Sequence, residues 1–531
     1  MNAQENAVTV RLDEAIRSQP DDVAYWFKGA AQSYAELGRW VSKAASGLAR
    51  LGVEPGDRVA VMLRNCPEYF GLSYAIWRAG AVLVPVNVLL SAEEVAHVLG
   101  DSGARVVVVG SDLAATVALA RSHSSGLTTV VAGEPGADYG DCTLDELVAA
   151  GSAEFAARAP ARDRLAIIAY TSGTTGFPKG AMLDDRHLYE QMAAIQEHFG
   201  LTNADNFAQF FPVHSVAPDL IGGWITAFVG SACVLMERFA VAELAKLVAA
   251  HHVTCFAMVP TMLLDLLRYR FDAAPDLSSI RYIQVGGAAV PDQLRQELWA
   301  RYGIPLVKSY GSTECSYVSL DFPGVEPLPL TSGQVLSHIE LTARGLDGEV
   351  LPIGEVGELC VGPKAGHERP FRPILGYWHD PEKSAAALAD GVFHTGDIGR
   401  VDQHGWVYVV DRLKDMIIRG GNNIYPAELE RVVRADPRVD DVYVVGVRDE
   451  RLGEIPKAYI VPSDKVGAAT ASDIAATANE QLARFKRIEL AEFTSSADLP
   501  RNAMNKVVKS RLAERANAER ANAERANAAR G

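Results

Sequence analysis

Tyr170-Thr171-Ser172-Gly173-Thr174-Thr175-Gly176-Phe177-Pro178-Lys179-Gly180 is the stretch on which the reading of this chain turns. It follows an apolar run, residues 165–169, that predicts a strand. Four Ser/Thr hydroxyls, three glycines and one lysine fall within these eleven residues. Glycines let successive backbone N–H groups turn inward as an anion nest. Hydroxyls donate to phosphate oxygens, and lysine adds a positive charge. Such a composition suits a triphosphate. It is not a Walker P-loop, because Pro178 precedes the lysine and Gly180 stands where Ser or Thr should be. No GxGxxG fingerprint follows a first strand either. A polar loop that binds nothing is the bland alternative. The density of donors behind so clear a strand argues against it.

Upstream, strand and helix signals alternate. Ser33-Tyr34-Ala35-Glu36 fits a capping box ahead of an amphipathic helix over 37–51. A strand over 58–63 follows the turn Pro55-Gly56-Asp57, and Pro67 opens a helix that ends near Gly80. Residues 81–86 read as a strand, Ser91 begins another helix, and 105–109 is a further strand. This alternation predicts parallel α/β sheets. It continues to about residue 330, after which Gly, Pro and short strands (357–361, 406–410) predict a β-rich subdomain. The pattern resets after Asp411-Arg412-Leu413-Lys414. A helix from Pro426, strands at 442–447 and 457–461 and a helix over 472–485 predict a separate small α+β unit.

The chain has 531 residues, enough for roughly three or four units of ordinary size. Its 51 Lys+Arg and 66 Asp+Glu leave a net charge of 51 − 66 = −15. That balance excludes a nucleic-acid coat or an anionic membrane as the main partner, but not a small anion held by local donors. Cys66, Cys142, Cys233, Cys255, Cys315 and Cys360 form no CxxC pair. They read as reduced core residues of a cytoplasmic protein rather than a zinc site or disulfide framework. No signal peptide stands at 1–11. The Gly-interrupted apolar stretch 220–236 predicts a buried helix followed by a strand, not a membrane span.

Glu-Arg-Ala-Asn-Ala repeats at 514–518, 519–523 and 524–528. A period of five advances a helix by about 140° net per repeat, so the repeat builds no stripe. The tail 514–531 is therefore expected to be disordered or a solvated helix. An oligomerisation segment is the other reading, although the a/d apolar residues of a coiled coil are missing.

Taken in order, these segments resemble the adenylate-forming superfamily of acyl- and aryl-CoA ligases, adenylation domains and luciferases. The resemblance covers residues 10–513. It implies a large N-terminal domain (1–413) of two stacked α/β subdomains plus a β-barrel, and a small mobile α+β C-terminal domain (414–513). Thr171, Ser172, Gly173, Thr174, Thr175 and Lys179 are similar to the family's phosphate loop. Tyr310-Gly311-Ser312-Thr313-Glu314 resembles its YGxTE motif, which places Tyr310 against adenine, Thr313 at the α-phosphate and Glu314 on Mg²⁺. Asp397, in His394-Thr395-Gly396-Asp397, resembles the aspartate that accepts both ribose hydroxyls, with Arg412 assisting. Lys506 resembles the catalytic lysine, with Asn505 where the family has Gly. Lys414 takes the hinge position. Gly420 and Gly421 would let the backbone approach a thiol arm.

The resemblance implies ATP, Mg²⁺ and CoA as cofactors and a small carboxylic acid as substrate, with Lys506, Thr175, His214 and Glu314 at the reacting centre. The acid would attack the α-phosphate, giving acyl-AMP and pyrophosphate. The C-terminal domain would then rotate about the hinge and a thiol would take the acyl group. His214, Ser215, Asp219, Gly286, Gly287, Ala288 and Ser309 are expected to line the acid pocket. Here the chain departs from the family's P-x-x-H-x-x-G pattern, with a shorter Pro212-Val213-His214. Asp219 has a second reading, as a cap on a helix at Leu220. A carrier-protein phosphopantetheine in place of CoA, a diazotising or amide-forming relative, and an inactive scaffold are the alternatives. Oligomerisation is left open.

Overall fold

The computed structural model describes residues 8–528 apart from 122–125, 134–138, 159–163, 172–177, 217–219, 221, 289, 323, 346 and 502–506. The chain divides into two compact units. The first takes Met1–Leu341, Cys360–His394 and Asp402–Val407, the second Thr342–Leu359, Thr395–Val401 and Tyr408–Gly531.

Two sheets build the first unit. One runs Gly376–Tyr377, Lys179–Asp184, Leu165–Thr171, Val82–Pro85, Arg58–Met62, Val106–Gly110, Thr128–Ala132, Cys142–Thr143. From Leu165–Thr171 onward its strands pair in parallel. Helices Pro67–Arg78 and Ala92–Ser102 make the crossovers, as parallel neighbours require. Pro67 stands at the first turn of its helix, and Ser91 caps the next in a full capping box with Glu94. Valines dominate the core between sheet and helices, among them Val84, Val107 and Val109 against Val95, Val98 and Val117. β-branched side chains on strands buried from both faces are what such a sheet selects.

The second sheet runs Gln334–Val335, Ser316–Leu320, Leu306–Ser312, Tyr282–Val285, Cys255–Met258, Asn206–Gln209, Ala232–Leu235, Val23–Phe27, Ala30–Ser33. Its middle is parallel and its edges antiparallel. The apolar stretch 220–236 resolves into the buried helix Gly223–Val229 and the strand Ala232–Leu235. No helix among the described residues is long and apolar enough to cross a membrane. The β-rich stretch is a four-stranded sheet in the order Ile339–Arg344, Gly357–Pro363, Phe393–Val401, Val407–Arg412.

In the second unit Asn422–Ile424, Ile417–Arg419, Gly453–Pro462 and Val439–Asp449 form an antiparallel sheet, with Leu490–Phe493 parallel to Gly453–Pro462. Helices Pro426–Arg434 and Ala471–Asn479 pack Leu429, Val433, Ile474 and Ala478 onto it. The second helix is shorter than the expected 472–485. Asn479 ends it by bonding both backbone groups of Ile488, at 2.8 and 2.9 Å.

The tail is helical, one of the two states expected of it: helix Lys509–Ala528 is continuous through the repeats, and its first part docks by one face while Glu514, Arg515, Ala518 and Glu519 stay exposed. Leu512 and Ala516 are buried against Val445, Val447, Ile455, Tyr459 and Leu499. Glu519 pairs with Lys457 at 2.8 Å, Arg520 with Asp449 at 2.7 Å and Arg515 with Glu492 at 3.2 Å. The repeat indeed makes no stripe of like residues. Helical spacing nonetheless puts Leu512, ahead of the repeats, on one face with residues 516, 519 and 520, which take three different repeat positions. Ending the chain after Ala513 is therefore expected to destabilise the second unit by roughly 1–3 kcal/mol. Denaturant unfolding measures it, and an unchanged midpoint would return the tail to solvent.

Candidate functional site

Ser172, Gly173, Thr174 and Thr175 lie outside the described residues, but the two arms that deliver them do not. Thr171 ends a strand and stands opposite Lys179 on the antiparallel return. Three contacts hold the base of this hairpin. Tyr170 donates its hydroxyl to Asp101 at 2.6 Å, His97 Nε2 lies 3.1 Å from the Pro178 carbonyl, and the Trp378 N–H donates to the Gly180 carbonyl at 2.7 Å. Burial, helped by the Asp101 carboxylate, pushes the Tyr170 phenol upward, so it stays a donor.

Tyr310-Gly311-Ser312-Thr313-Glu314 lies at the end of the strand Leu306–Ser312, in its turn to Ser316–Leu320. A Cβ on Gly311 would stand 1.7 Å from the Ser316 carbonyl oxygen, so only glycine fits there. A bulge between Tyr310 and Gly311 sets the two residues' facing. The Glu314 N–H donates to Ser312 Oγ at 3.2 Å, and Oε1 accepts the Tyr377 hydroxyl at 3.2 Å. Tyr377 pairs with Ala181, so this bond carries Glu314 to the phosphate hairpin. Glu314 and Lys179 are close enough to interact electrostatically. The half-buried Glu314 carboxylate takes a neutral phenol as donor and fits a hard cation such as Mg²⁺.

The expected acid-pocket residues share one edge. His214 and Ser215 follow Asn206–Gln209, Gly286 to Ala288 follow Tyr282–Val285, and Ser309 lies late in Leu306–Ser312. All sit towards the carboxyl ends of parallel strands in one sheet, where open α/β sheets bind ligands. Gly286 approaches Ser309 so closely that a Cβ would meet Ser309 Oγ at 2.1 Å. Gly287 has φ +77°, a left-handed backbone that favours glycine. Burial pulls His214 down to about 4, so its imidazole is neutral at pH 7. Asp219 lies outside the described residues.

In the second unit Asp397 and Arg412 meet, Nε to Oδ1 at 2.6 Å. Asp397 is 7% exposed and Arg412 51%. The Asp397 N–H donates to Thr395 Oγ1 at 3.0 Å, and Thr395 donates to the Leu359 carbonyl at 2.7 Å, fixing the turn. Lys414 is exposed in the short turn Leu413–Asp415. Gly420 and Gly421, with φ +55° and +81°, make the two-residue turn between Ile417–Arg419 and Asn422–Ile424. A Cβ on Gly421 would meet nothing within 4 Å, so that backbone is open. Lys506 lies outside the described residues, but its flanks are tied. Arg501 and Val507 form an antiparallel bridge, and Lys509 is ion-paired with Glu430 at 2.7 Å.

Sequence reasoning missed Tyr377, Asp101, His97 and Lys383. Asp380-Pro381 signals a helix start by cap and proline, but nothing in the pattern shows that its lysine would face the phosphate hairpin. Asn65 was missed too. Its side chain accepts the Val213 N–H at 3.1 Å and donates to the Met236 carbonyl at 3.0 Å, anchoring the segment that bears His214.

The family pattern of AMP-binding enzymes matches residues 12–366, and that of the AMP-binding enzyme C-terminal domain matches 428–506. A feruloyl-CoA synthase of Amycolatopsis sp is 35% identical over 502 residues, covering 94% of this chain and 97% of the relative. A fatty acid–[acyl-carrier-protein] ligase, ScoC of Streptomyces coeruleorubidus, is 31% identical over 511 residues, 94% of each chain. Among solved structures, ATP-bound MatB from Rhodopseudomonas palustris superposes with a TM-score of 0.87 at 28% identity, covering 97% of this chain and 99% of that one.

Proposed function

We propose, from the premise that this chain belongs to the AMP-binding, adenylate-forming enzyme family, that it converts a carboxylic acid to its CoA thioester. The first half-reaction is adenylation: the acid attacks the α-phosphate of ATP, and pyrophosphate leaves. Its barrier is mostly charge, so the site needs fixed cations and donors rather than a covalent group. Lys179 and the 171–180 loop would meet the terminal phosphates, Thr313 and Lys506 the α-phosphate, and Tyr310 the adenine. Asp397 with Arg412 would take the ribose hydroxyls. Glu314 would hold Mg²⁺, which supplies charge neutralisation on the phosphates.

The observation that carries the thioester step is the end-to-end similarity to a feruloyl-CoA synthase. The open turn at Gly420 and Gly421 supports it, since a thin thiol arm needs bare backbone beside it. His214, neutral at pH 7, and Gly287, where a Cβ would meet only Val259 at 3.8 Å, suit an aromatic or medium-sized acyl group. A carrier-protein thiol is the second reading, favoured by the similarity to ScoC.

Pyrophosphate release from ATP over a panel of aryl and alkyl acids tests the first step. Adding CoA, or a phosphopantetheinylated carrier protein, to the best acid tests the second. AMP release that needs CoA is the expected result. Release that needs only the carrier, or neither thiol, would overturn the CoA assignment.

A further inference from the structure

A second lysine stands against the strand that returns from the phosphate loop. Lys383 lies in the first turn of helix Pro381–Ala387. Asp380 caps that helix, accepting the Lys383 N–H at 3.0 Å and holding Lys383 Nζ at 2.8 Å. The helix is indexed to the hairpin through the pairs Gly376–Met182 and Tyr377–Ala181 and through the Tyr377 N–H, which donates to Ser384 Oγ at 2.8 Å. Lys383 is thereby brought near enough to Lys179 for the two ammonium groups to act on each other.

Two neighbouring ammonium groups repel, and Asp380 would cap the helix without Lys383. Among the described residues, the charged groups facing Lys179 are Lys383, Asp380 and Glu314, with the Tyr377 phenol on Glu314. With both lysines protonated these charges sum to zero. A polyphosphate tail carries several negative charges, and one lysine with one divalent cation leaves part of them unmatched.

We propose that Lys383 is a second phosphate-binding lysine, which with Lys179 seats the terminal phosphates of the nucleotide and the pyrophosphate released from them. The proposal rests on the adenylating reading above and deepens it.

The test is calorimetric titration of magnesium pyrophosphate into the full-length protein and its Lys383→Met and Lys383→Arg variants. Lys383→Met is expected to weaken pyrophosphate about tenfold near pH 7.5 and to raise KM for ATP similarly, with KM for the acid unchanged. Lys383→Arg should restore affinity. A Met variant with unchanged affinity for pyrophosphate and unchanged KM for ATP would overturn the proposal and leave Lys383 as a surface partner of Asp380. If the Met variant unfolds, Lys383→Arg decides the matter, and its failure to bind pyrophosphate would also overturn the proposal. If the unmodified protein shows no acid-dependent pyrophosphate exchange yet still loses affinity on Lys383→Met, the adenylating reading fails and the phosphate seat stands.

Discussion

Replacing Lys506 with alanine is expected to lower the rate of acyl-AMP formation about 10²- to 10³-fold and to leave thioester formation from preformed acyl-AMP within about a few-fold of the unmodified enzyme. The asymmetry follows from where charge develops. In the first step a carboxylate approaches a phosphate, and a cation between them lowers the barrier by several kcal/mol, about 2.7–4 for a well-aimed donor. In the second step a thiolate attacks an already activated carbonyl and AMP leaves, so a lysine at the α-phosphate has much less to do. The flanks of Lys506 suit such a precise task. Arg501 and Val507 pair, the Val508 N–H donates to the Pro500 carbonyl at 2.8 Å, and the half-buried Lys509 is held by Glu430. Burial pushes Lys509 down, but Glu430 and Asp411 more than offset it, so the group stays charged. Single-turnover measurement of each half-reaction reads the split. Equal losses in both would refute the assignment of Lys506 to the adenylating step alone.

The parts of this protein that were legible in its sequence are those whose physics is local. Capping boxes at Ser33 and Ser91, the proline at the start of Pro67–Arg78 and the alternation of strands with helices depend on residues within one turn of each other. They predicted the parallel sheets. The Asp397–Arg412 pair was legible only through the resemblance, because fifteen positions separate the two and no periodicity joins them. Glu314 was read through the resemblance as a carboxylate for a phosphate site, but its tether, the Tyr377 hydroxyl, was not legible. That bond spans 63 residues and exists only because the strand Gly376–Tyr377 adds to the edge of the phosphate hairpin. The docking of the tail was hidden for a different reason. Its repeat offers no stripe of identical residues, whereas docking needs only one face of mixed residues and a complementary Lys457 and Asp449 on the sheet.

Asp397→Ala is expected to lower kcat/KM for ATP about 10²- to 10⁴-fold with little loss of stability. Each hydrogen bond from a ribose hydroxyl to a carboxylate is worth about 1.5–3 kcal/mol, and a fixed diol acceptor makes two of them. Removing the carboxylate also frees the Arg412 guanidinium, but that group is 51% exposed and water can cover it. The loss should therefore appear in nucleotide use rather than in the unfolding midpoint. Asp397→Asn keeps the shape and one acceptor oxygen and should fall between the two. The decisive comparison uses 2′-deoxy-ATP. The unmodified enzyme should discriminate against it by about 10- to 10²-fold, since the carboxylate is then left with one hydroxyl. The Ala variant has no acceptor to leave unpaired and should use ATP and 2′-deoxy-ATP alike. Additivity, with the variant retaining full discrimination against the deoxy nucleotide, would show that the ribose is held elsewhere and that the Asp397–Arg412 pair serves only the fold.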